Sequence, residues 1–109
     1  MQESTRYHIL KYIQDNPAIT QRELARKTGF SLGKVNYCLR ALIDKGFIKA
    51  ENFRQSSSKT KYLYNLTPGG MEEKARVTSR FLKKKLREYE KLEKEIKELR
   101  AEVREEIEE

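Results

Sequence analysis

One cysteine, one histidine, two prolines, five glycines and no tryptophan stand among 109 residues. A single Cys excludes an internal disulfide, and one Cys with one His cannot build a zinc site. There is no Ser/His/Asp set and no glycine-rich phosphate loop, so nothing in the chain resembles a catalytic constellation. No apolar run approaches the roughly 18 residues that a membrane span requires. The opening stretch Met1-Gln2-Glu3-Ser4-Thr5-Arg6 reaches charge at once and has no apolar segment of signal-peptide type. These absences lead us to expect a cytoplasmic protein that is not an enzyme and uses no cofactor or metal.

What the chain does have is charge. Lys and Arg number 24 against 17 Asp and Glu, a net +7, and 38% of residues are charged while 37% are hydrophobic. Average chains carry roughly 25% charged residues, so part of this one must lie outside a packed core. Residues 1–70 hold 12 basic and 5 acidic side chains, and residues 71–87 hold 7 and 2. Residues 88–109 reverse the sign, with 5 basic and 10 acidic. A strongly basic body attracts polyanions through counterion release, with nucleic acid the first partner to consider. The acidic end should point away from that polyanion.

Hydrophobic spacing divides the chain into elements. Tyr7, Ile9, Leu10 and Ile13 mark a helix from about Thr5 to Gln14, stopped at Asp15-Asn16-Pro17. Ala18-Ile19 is long enough only for a bridging strand. Thr20-Gln21-Arg22-Glu23 has the form of a capping box, in which the Thr hydroxyl takes a backbone N–H and the Glu reaches back. It opens a two-turn helix that ends at Gly29. Ser31 is a second N-cap candidate, followed by Val35, Cys38, Leu39, Leu42 and Ile43 at core-facing helical spacing, with Gly46 at C′. Two capped helices joined by Gly29-Phe30 have the spacing of a helix-turn-helix.

Phe47–Phe53 and Lys61–Leu66 read as strands of a hairpin whose tip, residues 54–60, is polar and basic. Thr67-Pro68 then restarts a helix, with Glu72 and Glu73 suited to its positive end. No Gly or Pro follows Gly70, so one helix of roughly 60 Å is expected over the remaining ~40 residues. Leu82, Tyr89, Ile96 and Val103 fall seven apart, as do Leu92 and Leu99 three residues later, a heptad seam good from Tyr89 to Val103. These six residues are the oligomerisation candidates. Ile or Val at a with Leu at d favours a parallel two-stranded coil, while the ambivalent flanking charges leave antiparallel or higher assembly open. Glu105, Glu106, Glu108 and Glu109 oppose the negative end of their helix dipole, which predicts fraying of the last turn or two.

The expected fold is therefore mainly α with a small β-hairpin (α+β). A winged helix-turn-helix domain over 1–70 would be followed by a long oligomerisation helix over 71–109. The stretch Ser31-Leu32-Gly33-Lys34-Val35-Asn36-Tyr37-Cys38-Leu39-Arg40-Ala41-Leu42-Ile43-Asp44-Lys45-Gly46-Phe47-Ile48 resembles the third helix of bacterial winged-helix regulators. Tyr64-Asn65-Leu66-Thr67-Pro68-Gly69-Gly70 resembles the end of the wing in MarR-type proteins. Over residues 5–105 the chain resembles the short MarR-family regulators associated with exopolysaccharide (EPS) gene clusters. The resemblance implies a transcription regulator that binds double-stranded DNA as a homo-oligomer, a dimer by expectation. Larger MarR proteins build their dimer and effector pocket from additional helices, so the likeness does not carry over an effector site.

The residues support that reading independently. Opposite Val35, Leu39 and Leu42, the third helix presents Gly33, Tyr37 and Arg40, with Lys34 and Asn36 on its flanks. An α-helix fits the major groove and reads base edges near its N-terminus. Asn36 suits adenine, Arg40 or Lys34 suits guanine or phosphate, and Tyr37 suits a thymine methyl or phosphate. Gly33 permits close approach, and Ser31 with the helix N-terminus offers N–H groups to phosphate. Arg22 and Arg26 on the preceding helix are candidate phosphate contacts. At the wing, Arg54, Gln55, Lys59 and Lys61 can straddle the backbone or enter the minor groove. Cys38 reads as a small packed hydrophobe, because a redox-sensing thiol needs exposure and a lowered pKa. His8 is expected to be structural, and Tyr62 and Tyr64 to support the hairpin. A rival from another class is a protein-interaction module that recruits a partner through the long helix, since fold does not fix function. RNA binding is a weaker third reading.

Overall fold

A computed structural model describes the backbone of residues 1–55 and 59–108 and the side chains of residues 1–52 and 61–108. The elements run α1 (Glu3–Asp15), α2 (Gln21–Thr28), α3 (Leu32–Asp44), β1 (Ile48–Gln55), β2 (Lys59–Leu66) and α4 (Pro68–Glu108). The molecule measures 75 × 28 × 20 Å, the long dimension being set by α4.

Three helices and the base of the hairpin enclose one core. Ile9, Leu10 and Ile13 from α1 meet Leu24 of α2, Val35, Cys38, Leu39 and Leu42 of α3, Ile48 of β1 and Tyr64 of β2. These are the periodic positions of the sequence, and each is nearly or fully buried. Ile19 joins them at 1% exposure, although no strand forms at Ala18-Ile19. The expected bridge is reduced to a single backbone bond, from the Tyr64 N–H to the Pro17 carbonyl at 2.9 Å. Neighbouring Pro17 has no N–H with which to extend a ladder.

The hairpin differs from expectation in length. Strands expected to end at Phe53 and restart at Lys61 continue through Gln55 and from Lys59, with Arg54 paired to Thr60 and Gln55 to Lys59. The connection is thus residues 56–58 rather than a seven-residue tip. A two-stranded ribbon projecting from the core is wet on both faces, so its strands need no apolar alternation, the signal on which the sequence reading relied.

α4 is fused to the body at its start. The Thr67 side chain accepts from the Gly70 N–H at 3.0 Å, as an N-cap should, and its own N–H donates to the Phe47 carbonyl at 3.1 Å. A Cβ on Gly70 would lie 1.9 Å from that same carbonyl oxygen, so only glycine lets the helix approach this closely. Glu73, expected merely to favour the helix dipole, is instead a buried ion-pair residue. Arg6 of α1 reaches its Oε1 at 2.7 Å and Arg76 donates to both carboxylate oxygens. Val77 is fully buried, and the Phe81 ring stacks on Tyr7 at 4.8 Å. The packed body thus continues to Phe81, past the composition break at Gly70. Beyond it α4 is exposed and runs through Glu108, including the turn expected to fray. Glutamate is a good helix former, and Arg104 stands one turn from Glu108.

Candidate nucleic-acid interface

The two capped helices are built as their sequence dictates. Thr20 Oγ1 accepts from the Glu23 N–H at 3.1 Å, while its hydroxyl donates to the Glu23 carboxylate at 3.2 Å. The reciprocal half of the box therefore closes on the side-chain hydroxyl and not on the Thr20 backbone. Gly29 takes φ 78° in the left-handed region and ends α2. Ser31 Oγ accepts from the Lys34 N–H at 3.1 Å and starts α3. That cap leaves the first N–H groups of α3 facing outward, where an anion can meet them.

Above this start lies an open face. Ser31, Gly33, Lys34 and Arg40 are exposed, and Tyr37 is 70% exposed. Among the described residues, nothing outside the local helix backbone lies within 4 Å of a Cβ built on Gly33, so the backbone there is approachable. The Lys34 ammonium sits 4.0 Å from the centroid of the Phe30 ring, a cation–π contact that holds its charge at the turn between the helices. Arg22 and Arg26 are exposed on α2.

Asn36 is placed differently from the other candidates. It is half-buried, and its Nδ2 donates to Gln21 Oε1 at 3.3 Å. The Gln21 amide in turn reaches the Tyr64 hydroxyl at 3.5 Å. A polar chain thereby joins the third helix, the first turn of α2 and the base of the wing. Gln21 carried no signal in the sequence beyond a helix-start position. Leu32 was also missed: it is 46% exposed at the first position of α3. Its spacing three residues before Val35 reads as core, but the stripe runs off the end of the domain there.

On the wing, Lys61 is exposed, and Tyr62 stacks on Tyr64 with centroids 6.2 Å apart. The side chains of Arg54, Gln55 and Lys59 lie outside the described residues. Cys38 is 2% exposed, and burial pushes its thiol up in pKa against a smaller pull from Lys34. That is the opposite of a reactive cysteine. The His8 ring is held edge-on to Tyr7 and Phe81, and its buried Nδ1 has no partner among the described residues. Burial, helped by Lys11 and Lys85, lowers its pKa, so the ring is neutral packing material.

On α4 the six seam candidates Leu82, Tyr89, Leu92, Ile96, Leu99 and Val103 are all exposed, together with Leu86 and Ile107. The eight form one stripe whose steps of three and four follow a helix of 3.6 residues per turn. A strict count of seven omits Leu86 and Ile107.

Residues 2–49 match the winged helix-turn-helix DNA-binding family. No curated protein sequence matches the chain. Among solved structures, Staphylococcus aureus MepR superposes with a TM-score of 0.63 at 22% identity, over 98% of this chain and 77% of that one. Streptococcus pneumoniae FabT in complex with DNA gives 0.55 at 25% identity, over 77% of this chain and 57% of that one. Escherichia coli MarR complexed with operator DNA gives 0.55 at 25%, over 70% and 53%. The chain spans about half the length of the first solved structures it matches. No helix among the described residues is long and apolar enough to cross a membrane. Residues 2–49 are therefore similar to the winged helix-turn-helix DNA-binding family, and the chain has a winged-helix fold with a long C-terminal helix whose structural neighbours include MarR-family proteins.

Proposed function

We propose that this chain is a cytoplasmic MarR-like transcription regulator that binds double-stranded DNA at specific sites and self-associates through α4. The observation that carries the reading is the open face of α3. A capped N-terminus, an approachable Gly33 and exposed Lys34, Tyr37 and Arg40 share one side of a helix in a domain of net charge +7. In this reading α3 lies in the major groove and α2 crosses the backbone with Arg22 and Arg26. The wing, carrying Arg54, Gln55, Lys59 and Lys61, lies along the adjacent backbone or minor groove. MarR and FabT were each solved bound to DNA, which supports the same docking for this chain. The resemblance of residues 5–105 to EPS-associated regulators extends the proposal to exopolysaccharide genes.

The test is enrichment of sheared genomic DNA by the purified protein at about 150 mM salt with excess random competitor, where non-specific binding is weak. The expected result is a dyad motif upstream of a gene cluster, with half-site centres about 10 bp, or a multiple, apart. Uniform, salt-sensitive retention would overturn specific regulation. The exposed stripe of α4 favours a second reading, a module that recruits another protein. Replacing Lys34, Tyr37 and Arg40 together separates the two. DNA binding collapses under the first reading, whereas partner capture survives under the second.

A further inference from the structure

We propose that the exposed apolar stripe of α4 takes the same helix of a second copy in antiparallel orientation. The partner's Glu105, Glu106 and Glu108 then lie alongside the basic residues 80–87 of α4. The proposal rests on the self-association inferred above and adds its orientation and its register.

Two observations on this chain choose the orientation. The first is charge segregation along α4. Residues 80–87 carry five basic side chains and no acidic one, while residues 102–108 carry four acidic and one basic. Parallel pairing would set like charge against like at both ends of the coil, and antiparallel pairing sets opposite charges together.

The second concerns the seam itself. Continuing the heptad of Leu92 and Leu99 in both directions puts Lys85 and Glu106 at core-layer positions. In a parallel coil Lys85 would meet the partner's Lys85, and Glu106 the partner's Glu106. In an antiparallel coil with Tyr89 opposite the partner's Leu99, and Leu92 opposite the partner's Ile96, Lys85 falls opposite the partner's Val103. There it is within a turn of the partner's Glu102 and Glu106. The centre brings Glu93 and Glu95 near their own copies, with Lys91, Lys94 and Lys97 on the same turns to offset them.

In this register the partner's Glu105, Glu106 and Glu108 lie opposite positions 83, 82 and 80, within the basic stretch of residues 80–87.

The register also fixes where the DNA-binding bodies sit. The two-fold passes near Lys94, so the inner edges of the two bodies, at Phe81, stand about 40 Å apart along the coil at 1.5 Å per residue, and the bodies extend outward from there.

Cysteine pairing on the full chain tests the orientation, with wild type, whose Cys38 is buried, as the control. Tyr89→Cys and Leu99→Cys are made separately, then mixed and oxidised. The two copies of position 89 would lie about 15 Å apart along an antiparallel coil, too far for a disulfide, whose Cα atoms are about 5.5–6 Å apart. The expected result is little cross-linking of either variant alone and strong cross-linking of the mixture. Self-cross-linking of Y89C overturns the orientation and leaves DNA binding intact. A monomeric wild type by light scattering overturns self-association altogether. A charge swap supplies a second readout: K85E and E106K each weaken the dimer, and the double variant restores it. Failure of the double variant to restore it overturns the register.

Discussion

Asn36 of α3 and Gln21 at the start of α2 share a hydrogen bond, Nδ2 to Oε1 at 3.3 Å, and Gln21 leans on the Tyr64 hydroxyl at 3.5 Å. An asparagine so held has its amide plane set in the free protein, and under the proposed function its Oδ1 and second N–H are left for a base. Bidentate recognition of adenine uses that pair of groups. Gln21→Ala is expected to reduce discrimination at one adenine by roughly tenfold, within the usual 1–3 kcal/mol of a bidentate contact. Binding to random DNA should be unchanged. Selection from a randomised operator pool checks this, and an unchanged motif would remove Gln21 from the reading machinery.

Arg40 stands more than two turns into α3, away from the N-terminal residues that reach deepest into a groove. It is expected to contact phosphate. Arg40→Ala should weaken binding about equally across sequences and reduce the slope of log K against log salt by about 1. A salt titration of operator and random DNA measures both. An altered base preference with an unchanged slope would make Arg40 a base reader instead.

Gly70→Ala should destabilise the fold by about 3 kcal/mol, the range of a forced overpacking, because its Cβ would occupy the Phe47 carbonyl. Gly33→Ala, open on every side, should leave stability nearly unchanged. Chemical denaturation of the two variants beside wild type checks the contrast. Equal stabilities would show that the junction of hairpin and helix relaxes freely.

Two groups at the α1–α4 seam make stability fall with acid in separate windows. The His8 pKa is lowered by burial and by Lys11 and Lys85, so the unfolded chain binds its proton more readily. Stability from neutral His8 is full above the ordinary value of 6.5 and is lost as pH falls through that value toward the lower folded pKa. For Glu73, burial pushes upward but hydrogen bonds from Arg76 and Arg6 outweigh it, leaving the carboxyl below its ordinary 4.5. Its contribution is full above 4.5 and is lost as pH falls toward the depressed value. Denaturation midpoints across pH 7.5–4 should show two declines, and His8→Gln should remove only the upper one. A single decline below pH 4.5 in wild type would remove His8 from this account.

The helices were legible because each carries its own punctuation. Thr20, Gly29, Ser31 and Gly46 bracket α2 and α3 by local chemistry that needs no distant partner, and the stripe of Val35, Leu39 and Leu42 fixes which face turns inward. The hairpin strands were read too short because a ribbon standing clear of the core has no apolar period to follow. Contacts made across long sequence distances left no trace. Arg6 with Glu73, Asn36 with Gln21, and Tyr7 with Phe81 each join ordinary residues whose meeting is decided by packing. Leu32 left no signal for a different reason, since its spacing is that of the core stripe while its place at the tip of α3 exposes it.

The junction at Phe47, Thr67 and Gly70 ties the hairpin to a helix that then runs to Glu108 with no glycine or proline to bend it. Such a helix is a goniometer as well as a spacer. Each residue inserted or removed between Phe81 and the middle of α4 turns the pairing face by about 100° and moves it by about 1.5 Å. In the proposed dimer, the angle at which two reading heads present themselves is therefore written in the residue count of that segment. A single-residue insertion there would dephase the heads, while an insertion of seven would nearly preserve their bearing and only widen their span.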